Sequence, residues 1–310
     1  MKSIAAVTLF ASVVLAQSSS LIPSGISTQC STFLSTFDKD SSLSTCTTSL
    51  ISATSSFAPS TNASAATTTH SASSISAALN SVCSTASTCP DTSVRQNLAD
   101  FYTACGPELT TSANKDVIKI YDVLYAIIPL RQAVCSKADN GQYCATQIAA
   151  NSTASSSTLS AISKFVSSGG VSLTRRATTQ SVVAVSPNAT TFATNNLLFL
   201  MLLPTTPEAS LCTSCTRNVL TPYISFESST PYAPGLSNSV LLSGQTALYA
   251  AVKSTCGDSF LNGAVAAAAG LSGGIVGQVS TTDGAASLAI GTGAVGAIVG
   301  AIALAFSAAL

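Results

Sequence analysis

Ten cysteines carry most of the chemistry available to this 310-residue chain: Cys30, Cys46, Cys83, Cys89, Cys105, Cys135, Cys144, Cys212, Cys215 and Cys256. An even number of thiols in an exported chain reads as disulfides, so five bridges are expected. Two other chemistries compete for Cys212 and Cys215, which form a C-x-x-C. A four-ligand zinc site would need a second clustered pair or histidines, and His70 is the single histidine. A redox C-x-x-C belongs to a βαβ setting that is not apparent here. Structural disulfides are the reading adopted, and spacing leaves their connectivity open.

Catalytic patterns are present but lack partners. GLSGG at 270–274 satisfies G-x-S-x-G, yet Ser272 would need a strand before it, a helix after it and a histidine to take its proton. His70 lies between TTT and SASS, a loop-like setting. GTGAVG at 291–296 satisfies G-x-G-x-x-G without a βαβ unit around it. A glycosidase would need two carboxylates across a cleft. Of the glutamates, Glu108 follows a helix stop, Glu208 suits a first turn and Glu227 sits near a helix end, while most aspartates suit caps or solvated helix positions. No catalytic residue, metal ligand or cofactor is assigned.

Charged residues make up 8% of the chain, 12 basic and 12 acidic, against 46% hydrophobic residues and about 90 Ser plus Thr. Nucleic acid is not expected as a partner, because affinity for phosphate backbones comes from clustered Lys and Arg. The exception to the sparse charge is Arg175-Arg176, a dibasic pair in a Ser/Thr-rich stretch and a candidate processing site. Seven cysteines precede it and three follow. Both numbers are odd, so complete pairing requires at least one bridge across it.

The elements that position these residues lie between two targeting segments. Residues 1–16, MKSIAAVTLFASVVLA, have the charged start, short apolar stretch and small-residue cleavage site of a secretory signal peptide; a spanning helix would need about 20 apolar residues. From Ala285 to Leu310 there is no charge, and Lys253 is the last basic residue. Asp283, Gly284 and Ala285 form a small-residue triplet, followed by a weakly polar spacer at 286–293 and an apolar tail at 294–310. That is the pattern of a glycosylphosphatidylinositol (GPI) attachment signal, with Asp283 the first choice of attachment residue and Gly284 the second. An ordinary C-terminal membrane helix is the competing reading.

Between them, residues 17–256 read as a mainly α, disulfide-stapled domain. The spacing predicts an amphipathic helix over 114–135, capped by Asn114 and kinked or ended by Pro129. Val117, Ile120, Tyr121, Leu124, Ile127 and Ile128 take one side, and Lys115, Asp116, Lys119 and Asp122 the other. A second helix over 90–107 has Ser93 and Gln96 as a capping box and Gly106-Pro107 as its stop. A third starts at Thr206-Pro207-Glu208, with Cys212 and Cys215 on one face. A last helix is expected from about Ser239 to Cys256. Leu197 to Leu203 reads as core, and SVVAV near Val182 as a short strand. Ser/Thr-rich insertions near 52–74 and 151–194 read as loops. The sequons at Asn62, Asn151 and Asn188 fall in them. Residues 257–283 read as a low-complexity stalk, and 284–310 as the removed tail.

With YDVLYAIIPLRQAVCSKADNGQYC (121–144), CTSCTRNVLTPYISFE (212–227) and YAPGLSNSVLLSGQTALYAAVKSTC (232–256), the chain resembles a fungal family of secreted, cysteine-rich, predicted GPI-anchored cell-surface proteins built on a domain of unknown function. The resemblance covers roughly Leu21 to Cys256. It implies a fungal surface address and carries over no activity. The expected function is therefore a non-enzymatic structural or interaction protein held by a GPI lipid at the outer membrane leaflet, or passed to wall polysaccharide. A binding module for a lipid or small apolar ligand is the alternative, and a wall-modifying glycosidase a third.

Overall fold

The computed structural model describes residues 22–37, 40–54, 72–151, 166–175 and 178–261. Their fold is mainly α and stapled by five disulfides. Six helices come first: α1 (Thr28–Phe37), α2 (Ser44–Thr54), α3 (Ala72–Val82), α4 (Asp91–Leu109), α5 (Lys115–Cys135) and α6 (Cys144–Asn151). A hairpin follows, β1 (Val166–Arg175) with β2 (Thr178–Pro187), and then α7 (Ala189–Thr194), α8 (Glu208–Leu211), α9 (Ser214–Ser229) and α10 (Gln245–Cys256).

Helix α5 is the axle. Asn114 caps it as the sequence predicts, its Oδ1 accepting from the N–H groups of Asp116 at 3.0 Å and Val117 at 3.2 Å. The expected two-sided pattern holds only for the first turns. From Tyr121 to Ile127 every residue is buried, because α3, α4, α6, α9 and the 197–199 turn all pack around it. A helix surrounded in this way is apolar on every face, and Asp122 is the one ionisable carboxylate in that stretch. Pro129 neither ends nor divides the helix, which runs on to Cys135. Proline removes one backbone bond, but packing rather than propensity supplies most of a helix's stability.

In α4 the punctuation is shifted. The helix starts at Asp91 behind Pro90, so Ser93 lies in the first turn rather than at the cap. Cys105 leaves helical geometry (φ −117°, ψ 19°) one residue before Gly106-Pro107, and a last turn continues to Leu109. The expected stop is a kink.

Leu197 to Leu202 is core, and its conformation is neither helix nor strand. Leu197–Phe199 form a 3₁₀ turn, and Asn196, Leu200 and Met201 take positive φ. Asn196 Nδ2 donates to the Leu202 carbonyl at 2.8 Å, and the Tyr223 hydroxyl donates to the Leu198 carbonyl. Gly244 is obligatory beside it, since a Cβ there would stand 1.9 Å from Asn196 Oδ1.

Three expectations about boundaries change. The 151–194 stretch is not all loop, because β1 and β2 pair antiparallel from Val166↔Pro187 to Arg175↔Thr178, with SVVAV inside β2, and α7 follows. The last helix begins at Gln245 rather than Ser239. The domain also runs past Cys256 into the expected stalk, where Phe260 and Leu261 pack against the core and Arg217 Nε donates to the Phe260 carbonyl at 3.0 Å.

Gly244→Ala is expected to lower stability by about 1–3 kcal/mol through overpacking against Asn196. The midpoint shift in urea checks it, and an unchanged midpoint would refute the close approach.

Candidate functional site

The disulfide map follows from where these helices bring the sulfurs. Cys30–Cys105 joins α1 to α4, Cys46–Cys89 ties α2 to the turn before α4, and Cys83–Cys135 ties the end of α3 to the end of α5. Cys144–Cys215 joins α6 to α9, and Cys212–Cys256 ties α9's approach to the end of α10. The Cα separations run from 4.6 to 5.4 Å, within the range a disulfide spans. No cysteine is left free, and a chain so rich in disulfides is typical of extracellular proteins.

The C-x-x-C pair does not close on itself. Helix α8 ends at Leu211, and Thr213 caps a new helix, its hydroxyl accepting from the Thr216 N–H at 3.2 Å. Cys212 and Cys215 therefore sit on either side of a break and go to different partners, so neither the shared-face reading nor the redox reading applies. Among the described residues no cluster of His, Cys, Asp or Glu could hold a metal ion.

The most elaborate polar arrangement is one the sequence reading placed on a solvated face. Asp122 is 0% exposed. Its Oδ1 accepts from the Tyr232 hydroxyl. Its Oδ2 accepts from the Ser239 hydroxyl at 2.8 Å and from the N–H groups of Val240 and Leu241, both at 2.9 Å. Ser239 Oγ in turn accepts from the Leu242 N–H at 2.7 Å. Burial pushes the Asp122 carboxyl up to about 6, against the donors that favour its charged form.

Edge-to-face rings surround this carboxylate. Tyr121 meets Phe101 at 5.3 Å and Tyr232 at 5.5 Å, and Tyr125 meets Tyr232 at 5.0 Å and Phe226 at 5.1 Å. The Tyr125 hydroxyl donates to the Thr230 carbonyl at 2.6 Å. Burial raises the Tyr121, Tyr125 and Tyr232 phenols well above their ordinary value, so they act as neutral donors. Buried and engaged by donors on both oxygens, Asp122 works as a latch that binds the 232–242 loop to α5.

The glutamates are likewise apart in role. Glu108 is only 5% exposed, and its Oε1 accepts from the Ser27 N–H at 2.7 Å, tying the start of α1 to α4. Burial acts to raise its carboxyl, but the Ser27 N–H and hydroxyl outweigh that and hold it below the ordinary value. Glu227, half-buried on α9, accepts from Gln245 Nε2 on α10, and burial raises its carboxyl. Glu208 opens α8. Glu108 Oε2 is buried without a hydrogen-bond partner among the described residues.

Of the other predicted positions, Asn188 caps α7, its Oδ1 accepting from the Thr191 N–H at 3.4 Å, and Asn151 is the last residue of α6. Arg175 ends β1. Asn62, Arg176, Asp283, Gly284, His70, Ser272 and the two targeting segments lie outside the described residues. No helix among the described residues is long and apolar enough to cross a membrane. The chain matches no family model, and no curated protein or solved structure matches it.

Asp122→Ala removes the acceptor shared by the Tyr232 and Ser239 hydroxyls and the Val240 and Leu241 N–H groups and is expected to cost on the order of 3–5 kcal/mol, read by urea unfolding. Because the folded-state value of Asp122 is raised, its stabilising contribution is full below about pH 4 and is lost as pH rises through about 6. The stability of the wild type minus that of Asp122→Asn should therefore fall from pH 4 to pH 7. A difference that is flat or rises would contradict the assignment.

Proposed function

We propose that the chain is a non-enzymatic, GPI-anchored fungal cell-surface or cell-wall protein with a structural or interaction role. The carrying observation is that all ten cysteines lie between an export signal at 1–16 and an attachment signal around Asp283 and Gly284. The five-disulfide helical domain supports an extracellular address. The buried carboxylates support a non-enzymatic role, since Asp122 and Glu108 are engaged by backbone N–H groups of neighbouring segments. Its partners are the GPI lipid in the outer leaflet and wall polysaccharide, and its likeness to the fungal surface family rests on the three segments quoted above.

The surface that would meet such partners is hydroxyl-rich and almost uncharged. Tyr102, at 38%, is the exposed large apolar side chain among the described residues. Thr28, Thr32 and Thr36 line the solvent side of α1. Hydration supplied by glycans fits that surface. At Asn188 the side-chain oxygen is used by the cap, which leaves Nδ2 to carry the sugar.

Phosphatidylinositol-specific phospholipase C should release the protein from intact cells, with a mature terminus at Asp283 or Gly284. Peptides from beyond residue 290 in the mature protein would overturn the anchor. Thr190→Ala, which removes the Asn188 sequon without touching its cap, should lower the mass by one N-glycan; an unchanged glycoform would remove Asn188 from the set.

A further inference from the structure

We propose that Asn140-Gly141 is a self-modification site, where side chain and backbone of the folded domain close to a cyclic imide and reopen with one added negative charge. The dipeptide stands at the tip of the turn that joins α5 to α6, with Lys137 and Tyr143 paired at its base. Asp139, Asn140, Gly141 and Gln142 are all exposed, so water and hydroxide reach the reacting atoms.

Imide formation needs an unhindered nitrogen and an activated carbonyl, and the turn supplies both. Gly141 has a φ of 79°, and even an added Cβ would meet nothing within 4 Å. With no side chain of its own, its nitrogen is free to swing toward the neighbouring Cγ. The Gly141 N–H donates to the Ala138 carbonyl at 2.9 Å, a single bond in an exposed turn, of the kind that opens far more readily than the core. Asn140 Oδ1 accepts from the Gln142 N–H at 3.0 Å and from Gln147 Nε2 at 3.1 Å. Attack at Cγ puts negative charge on this oxygen, so the two donors stand where an oxyanion is stabilised. Gln147 belongs to α6, and its Oε1 lies 3.5 Å from Cys215 Sγ. The second donor is therefore held by the fold and not by the turn.

The step is an acyl transfer followed by a hydrolysis. The Gly141 nitrogen, its proton taken by hydroxide, attacks Asn140 Cγ. The Cγ–Nδ2 bond breaks, and Nδ2 leaves as ammonia with a proton from water. Water then opens one of the two C–N bonds of the five-membered imide. Opening at Cγ gives an aspartyl residue on a normal backbone, and opening at the main-chain carbonyl gives an isoaspartyl link. Each product carries a carboxylate where the amide stood. The change stays local, because Cys83–Cys135 and Cys144–Cys215 bracket the turn. Its base is also held by the Cys144 N–H on the Ser136 carbonyl at 2.9 Å and by Asn218 Nδ2 on the Lys137 carbonyl at 3.0 Å. On a chain whose formal net charge is +0, the new carboxylate lowers the isoelectric point.

The test holds purified, folded, full-length chain in neutral and in mildly alkaline buffer made with heavy-oxygen water. Reduction and digestion with trypsin and chymotrypsin then free the 138–143 peptide for mass spectrometry. The expected result is an aspartyl and an isoaspartyl form of that peptide, each with one heavy oxygen, accumulating faster in the alkaline buffer. Gln147→Leu, which removes the α6 donor, should slow conversion at Asn140 severalfold while leaving the peptide of Asn262-Gly263, the other Asn-Gly in the chain, unchanged. Asn140→Asp should show the isoelectric point of the converted protein from the start. The proposal is overturned if the 138–143 peptide of the folded wild type stays unmodified while the reduced, unfolded chain converts, or if folded Gln147→Leu reacts as fast as the wild type.

Discussion

Asp122 is a carboxylate within the one stretch of α5, Tyr121 to Ile127, that is buried on every side, and the 232–241 segment supplies the donors it needs. A buried charge is tolerated only when hydrogen bonds replace the water it has lost. Here the replacement comes from Tyr232, Ser239 and two successive backbone amides, all more than a hundred residues away in sequence. The same segment places Tyr232 in edge contact with Tyr121 and Tyr125. The aromatic packing on α5 and the buried carboxylate thus meet at one residue, Tyr232.

Much of this fold was legible in local signals. The Asn114 cap, the helix on either side of it, the apolar run at 197–203 and the strand at SVVAV depend on neighbouring residues, and each appears where the sequence reading put it. Pairing of every cysteine, and a bridge across the dibasic pair, followed from compartment and parity. What escaped was set by tertiary surroundings. Asp122 falls on the same helical face as Lys115 and Lys119, so periodicity assigns it to solvent. Only the packing of α9 and the 232–242 loop over that face makes it interior. The surviving clue was its setting, YDVLYAIIP, one charge amid large apolar side chains. Pro129 and Gly106-Pro107 were misjudged for the same reason, since packing on both sides keeps each helix going past its breaker. The division of Cys212 from Cys215 rests on Thr213 acting as a cap, a signal that could have been read.

The helices carry hydroxyls where most proteins carry charges. Many Ser and Thr side chains donate back to the carbonyl one turn earlier, as Ser35, Thr36, Ser49 and Thr103 do. Such back-bonding satisfies the hydroxyl locally and leaves the side chain compact. A surface of this kind lacks the long charged side chains that usually keep proteins apart.

The short turn after α10 has a mechanical consequence. A pull on the chain beyond Leu261 meets Phe260 first and then Cys256, which is bonded to Cys212. Tension therefore bypasses α10 and enters at the foot of α9, from which Cys215 passes it to Cys144 and the amino-terminal helices. A load applied beyond Leu261 thus reaches the amino-terminal helices through two successive disulfides, without first unfolding α10.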